Sequence, residues 1–219
     1  MNNLSPTIVR TVVAAATLLA ASAAVHAEGS VEAGQQKAEM CIGCHGIPGY
    51  QNSFPEVHKV PKISGQSDKF IVSALAAYKK GDRKHPTMRG IAGSLSEQDM
   101  ADLAAFYASH TDKTAAETAS APSDVVKALL EKGACASCHG ANFSKPIDPS
   151  YPKLGGQHAD YLFVAMKAYT VEGNVMVGRS NGIMGAVAKQ FNPTEMRALA
   201  QYLSAQETEL KTVPQSRFK

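Results

Sequence analysis

The sequence predicts an all-α protein built from two small tandem domains, and three observations carry that expectation. A series of motifs occurs twice in the same order, apolar residues recur at three- and four-residue spacing, and no segment shows the two-residue alternation of a half-buried strand.

The repeat runs the length of the chain. Cys41-Ile42-Gly43-Cys44-His45-Gly46 returns as Cys135-Ala136-Ser137-Cys138-His139-Gly140, an offset of 94. Pro61-Lys62-Ile63-Ser64-Gly65-Gln66 returns as Pro152-Lys153-Leu154-Gly155-Gly156-Gln157, and Ala77-Tyr78 as Ala168-Tyr169, both at 91. Arg83 with Met88 returns as Arg179 with Met184, and the segment from Met100 as that from Met196, both at 96. Offsets that drift by a few residues are what loop-length changes leave after a tandem duplication.

The elements follow from local signals. Ser67 is placed to cap a helix that runs to Lys80 and stops at Gly81. Phe70, Ile71, Ala74, Leu75 and Tyr78 fall on one face of it. Ser96 and Asn192 are matching caps for the last helix of each half, with Pro193 at a first helical position. Residues 112–122 are polar, small and proline-terminated, which suits a linker between domains at 28–111 and 123–219.

Residues 1–27 read as a cleaved signal peptide: Arg10, an alanine-rich apolar run, then Val25-His26-Ala27 as a small-residue cleavage site. The run is shorter than the roughly 20 residues that span a bilayer, and export places the chain in the periplasm. Without Arg10 there remain 21 basic and 19 acidic residues, a balance that gives no reason to expect nucleic-acid binding. The chain has no Trp and only 6% aromatic residues, a thin supply for an all-protein core.

All four cysteines sit in the two CxxC units. In an oxidising compartment a structural disulfide usually joins distant segments, so these pairs need another explanation. Cys-x-x-Cys-His is the attachment signature of c-type haem. Cysteines three apart lie on one side of a helical turn, where Cys41 with Cys44 and Cys135 with Cys138 can each form thioethers to one porphyrin. His45 and His139 then reach the iron from the same side. A zinc site would draw on both pairs and has no need of a histidine after each. A redox dithiol belongs to a strand–helix fold absent here. Two covalent haems also answer the thin core: the half-domains should fold poorly without them.

Met88 and Met184, repeat-matched and each five residues after an arginine in glycine-rich, irregular surroundings, are expected to complete the iron coordination. Met100 and Met196 fall at packing positions of the last helices and are read as core. Pro61 and Pro152 offer carbonyls to the ligating histidines. Ile63 and Leu154 pack on the haems, and Arg83 and Arg179 are suited to haem propionates. Tyr78 and Tyr169 are placed at haem edges or the domain interface. His58, His85, His110 and His158 have no repeat equivalents and are expected at surface or loop positions. Lys79, Lys80, Arg83, Lys84 and Arg89 form a basic cluster that suggests docking to an acidic partner.

Two CxxCH units, each followed by Pro-x-[Ile/Leu]-x-Gly-Gln, a helix ending near Tyr, Arg-x4-Met and a final helix, resemble the cytochrome c4 family over nearly the whole mature chain. The resemblance implies two class I cytochrome c domains related by pseudo-twofold symmetry, with haem edges facing across the interface and histidine–methionine ligation in both. It implies an electron carrier to a terminal oxidase or other reductase, with redox proteins as partners, loose inner-membrane association and a monomeric state. The alternative is a dihaem subunit of a periplasmic dehydrogenase complex, such as a flavocytochrome c sulfide dehydrogenase. No catalytic residue is assigned. One departure is a loop around Asn174-Val175-Met176-Val177 that is five residues longer than its first-half counterpart.

Overall fold

The computed structural model describes residues 28–111 and 120–214; the signal-like segment and most of the linker lie outside the described residues. In the first half, α1 (Val31–Lys37) leads through Ala38 into α2 (Glu39–His45), which carries the first CxxCH. Two-residue strands β1 (Gln51–Asn52) and β2 (His58–Lys59) pair antiparallel in the following loop. Then come α3 (Asp68–Lys80), β3 (Arg83–Lys84), α4 (Pro86–Gly93) and α5 (Glu97–Ala108). The second half repeats the order: α6 (Asp124–Lys132), α7 (Cys135–His139), α8 (Ala159–Ala168), β4 (Gly178–Arg179), α9 (Gly182–Ala188) and α10 (Pro193–Ser204).

Local chemistry sets the boundaries. Gly81 ends α3 in the left-handed region (φ 92°), where a side chain is disfavoured. Ser67 occupies the cap position of α3, but its hydroxyl donates to Pro149 O of the other half instead of capping the helix. Ser96 with Asp99, and Asn192 with Glu195, form reciprocal capping boxes on the two last helices.

Each half has its own core, and the cores repeat as the sequence does. Leu103 and Leu199, Ala92 and Ala188, and Met100 and Met196 are buried pairs separated by 96 residues. Met100 and Met196 are therefore core, as expected. In the first half α1 crosses α5 so closely that a Cβ on Gly34 would fall 2.0 Å from Asp102 O, which fixes glycine there.

Asp102 is a buried carboxyl with no counterpart in the second half. Asp102 is 3% exposed, accepts from Ser30 N (2.8 Å) and pairs with Lys37 (2.6 Å); its repeat partner is Ala198. The Lys37 ammonium, helped by the Ser30 N–H, holds the Asp102 carboxyl below the usual range. A depressed carboxyl contributes stability that is full above about pH 4 and is lost as pH falls through its folded value. Asp102→Ala is expected to cost about 2 kcal/mol at neutral pH, because it strips charged hydrogen bonds from a buried helix crossing. The gap between the melts of the two forms should hold above about pH 4 and close as pH falls further below it; a constant gap would detach the pair from stability.

The halves meet through pairs of equivalent residues. β3 and β4 are antiparallel with Arg83 opposite Arg179, so a local twofold axis runs between equivalent positions. This ladder was not expected, since its strands are two residues long and come from different halves. Lys59 with Asp160 and Lys167 with Glu56 add ion pairs across the seam, and Ser64 bridges to Lys211 from the C-terminal segment.

Candidate haem-binding sites

Each CxxCH lies on a short helix, with its histidine in the last turn. His45 Nδ1 is 2.9 Å from Pro61 O, and His139 Nδ1 is 3.0 Å from Pro152 O. A carbonyl only accepts, so Nδ1 carries the proton in both rings and Nε2 is left with a free lone pair. Burial pushes both imidazoles below their ordinary pKa, outweighing the proline carbonyls that favour the charged form. The result is two neutral, oriented imidazoles, each presenting Nε2 as a metal ligand.

The cysteines sit in matching surroundings. Cys41 and Ile63 pack against the first core, and Cys135 and Leu154 against the second. None of the four is in a disulfide. Burial pushes the Cys41 thiol up to about 11 and raises Cys135 as well. Such sites favour neutral sulfur, as in a thioether, over a thiolate. Among the described residues, His, Cys, Asp and Glu side chains form no cluster of three suited to a metal ion, because the two pairs belong to separate halves. The second attachment helix starts under strain: Ala134, its cap residue, has φ 46°.

Met88 and Met184 hold the same place in their halves. The sequence suggested irregular backbone here, but each is the third residue of a short helix, α4 or α9. His85 Nδ1 and Asn181 Oδ1 cap these helices, facing Met88 N at 3.4 Å and Met184 N at 2.9 Å. Pro86 and the two caps were the available signal for the helices. His85 also lies near enough to His45 for its charge to oppose His45 protonation, so the start of α4 faces the first attachment helix. The long loop before Arg179 does not disturb Met184. Asn174 Oδ1 accepts from Met176 N and Val177 N, and Asn174 O accepts from Lys84 Nζ, which ties the loop down.

Arg83 and Arg179 lie at the seam between the sites. Both donate to Tyr161 Oη, at 3.3 and 3.1 Å. Arg83 lies over the rings of Phe70 and Tyr78, and Arg179 over those of Tyr161 and Tyr169. Burial opposes ionisation of Tyr161, but the two guanidiniums outweigh it and bring the phenol down to about 8. Among the described residues neither arginine has a carboxylate partner, and Arg83 Nε is buried without any acceptor. Two half-buried cations without carboxylate partners, one with an unsatisfied Nε, suit a group that brings its own carboxylates, as haem does with its propionates. The neutral imidazoles, neutral sulfurs and unpaired guanidiniums together fit two covalently held haems.

Members of the basic cluster make separate contacts: Lys79 donates to Leu95 O, Lys80 pairs with Asp82, Lys84 holds Asn174 O and Arg83 is at the seam. Lys79, Lys80 and Arg89 are exposed, while Lys84 and Arg83 are half-buried. His58, expected at a surface or loop position, lies in the loop after α2 but is only 5% exposed, with Nδ1 bonded to Glu56 O and its ring beside Tyr161. Gln66 and Gln157 were passed over although their motif repeats, and both are buried at the seam.

A family model described as cytochrome c matches residues 31–111 and again 124–207. Cytochrome c4 of Stutzerimonas stutzeri is 32% identical over 193 residues, covering 81% of this chain and 90% of that protein. The thiosulfate dehydrogenase electron acceptor of Thiomonas intermedia (strain K12) is 30% identical over 206 residues, covering 90% of this chain and 91% of that protein. The crystal structure of reduced recombinant cytochrome c4 from Pseudomonas stutzeri superposes with a TM-score of 0.58 at 26% identity, over 82% of this chain and all of that one.

Proposed function

We propose that this chain, which belongs to the cytochrome c4 family and is a dihaem electron-transfer protein with two tandem cytochrome c domains, works as a freestanding periplasmic carrier between a respiratory donor and a terminal oxidase or reductase. The observation that carries the reading is the repeated histidine–proline contact, the same in both halves to within 0.1 Å. It supports two equivalent iron sites, neither of them specialised for chemistry on a substrate.

In this reading Cys41, Cys44, Cys135 and Cys138 hold the two haems c, and His45 with Met88 and His139 with Met184 are the axial ligands. When bound, each iron supplies a one-electron couple. Pro61 and Pro152 fix the imidazole planes and raise ligand basicity. Two capped helices hold the methionines in place, and ligation of the irons by their soft thioethers would favour the reduced state. Arg83, Arg179 and Tyr161 lie between the sites and place positive charge where propionates meet the seam. No helix among the described residues is long and apolar enough to cross a membrane.

The likeness to a thiosulfate dehydrogenase electron acceptor, spanning 90% of the chain, favours a second reading. In it the same carrier receives its electrons from a dedicated periplasmic dehydrogenase, either as a subunit or as a docking partner. Gel filtration of a native periplasmic and membrane-wash extract separates the two. The carrier reading expects chain and haem absorbance to elute together at the size of one processed chain, somewhat below the 23.1 kDa of the full 219 residues. Elution in a larger particle with a dehydrogenase establishes the second reading, and elution of the chain without haem absorbance overturns both.

A further inference from the structure

Gln66 and Gln157 are 3% and 4% exposed, and besides accepting from the N–H of the following residue, Ser67 or His158, each bonds the backbone of the opposite half through both its oxygen and its nitrogen. Gln157 Oε1 accepts from Lys62 N (2.9 Å), while Gln157 Nε2 donates to Lys62 O (2.8 Å). The mirror contacts are Lys153 N to Gln66 Oε1 (2.8 Å) and Gln66 Nε2 to Lys153 O (3.0 Å). Lys62 Nζ reaches Gly156 O and Lys153 Nζ reaches Gly65 O, closing each bracket.

The location of these brackets matters more than their number. Lys62 N and Pro61 O belong to one peptide group, as do Lys153 N and Pro152 O. The Pro61–Lys62 amide therefore accepts from His45 at its oxygen and donates to Gln157 at its nitrogen. The Pro152–Lys153 amide does the same between His139 and Gln66. An amide that donates at nitrogen becomes a better acceptor at oxygen, since electron density moves toward the carbonyl along the chain of hydrogen bonds.

We infer that Gln157 and Gln66 are positioning residues that tune the iron-ligating histidine of the opposite domain through one shared peptide group. This rests on the assignment of His45 and His139 as iron ligands. A stronger Pro61 carbonyl gives His45 more imidazolate character, which stabilises the oxidised iron. Each domain thus helps to set the potential of its neighbour, and separation of the halves alters both.

The test is Gln157→Met in the full dihaem chain, with Gln66→Met as its mirror and Glu56→Gln as a control that breaks a different cross-seam contact. Haem-resolved redox titration by NMR, following assigned haem methyl resonances, gives each domain's potential separately. Gln157→Met is expected to raise the potential of the first domain's haem and leave the second unmoved, with Gln66→Met giving the reverse. The predicted change in the affected reduction equilibrium is on the order of threefold. Equal shifts in both haems, no shift, or the same pattern with Glu56→Gln overturns the tuning role and leaves the glutamines as interface contacts. Failure of both glutamine variants to assemble overturns it too, by assigning them to folding. A haem count other than two in the wild-type chain undermines the ligand assignment instead, and pyridine haemochrome absorbance reads that count independently of the potentials.

Discussion

A chain with both Cys41 and Cys44 changed to alanine is expected to carry one covalent haem instead of two, with its first half largely unfolded. The attachment helix α2 has seven residues, well below the 12–15 at which an isolated helix becomes even marginal in water. From Gly46 to Ser67 the chain has two two-residue strands and no helix. Its side chains Ile63 and Cys41 lie against a core of nine buried residues, two of them alanine. So small a core holds a domain of this size only marginally, and the large apolar face of a porphyrin is the missing part. Haem staining on a denaturing gel should fall by half. Limited proteolysis should cut first between Gly46 and Ser67, and far-UV ellipticity should drop by the share of the first-half helices. A variant that keeps a cooperative melt at the wild-type temperature would show that the polypeptide builds this core alone.

The reason for that dependence was visible in the sequence, as were the duplication, the caps at Ser96 and Asn192, and the buried pair Met100 and Met196. These features are local or periodic, and a repeat doubles every local signal. The seam was harder to read. That Arg83 pairs with Arg179 follows from a twofold relation between halves, which no spacing along the chain encodes. Asp102 was hidden because it is unrepeated: Ala198 stands at the matching position. Gln66 and Gln157 carried a usable signal, a large amide kept in both copies of the motif along with its proline, lysine and glycine. Their partners lie 87 and 95 residues away, so the purpose of the amide could not be seen without the fold. The contacts of Lys79, Lys80, Lys84 and Arg83 were hidden for a related reason: each partner is set by how α3, α4 and the second half are placed.

Replacing Met88 by histidine is expected to lower the potential of one haem by on the order of tenths of a volt, within the span that axial ligands control, and leave the other near its original value. The sign follows from donor chemistry. A thioether is soft and favours the reduced iron, whereas imidazole is a stronger donor that favours the oxidised one. The position tolerates the exchange. Met88 is half-buried in the first turn of a helix already fixed by His85 and Pro86, so the backbone does not depend on its side chain. A spectroelectrochemical titration resolves the two couples, and one wave should move while haem content stays at two. Met184→His should move the other wave, since Asn181 caps its helix in the same way and the long loop before it is tied down by Asn174. If Met88 were core packing, its exchange would cost stability and leave both waves in place. The pair of variants therefore separates ligand from filler at each site, and assigns each wave to its half of the molecule.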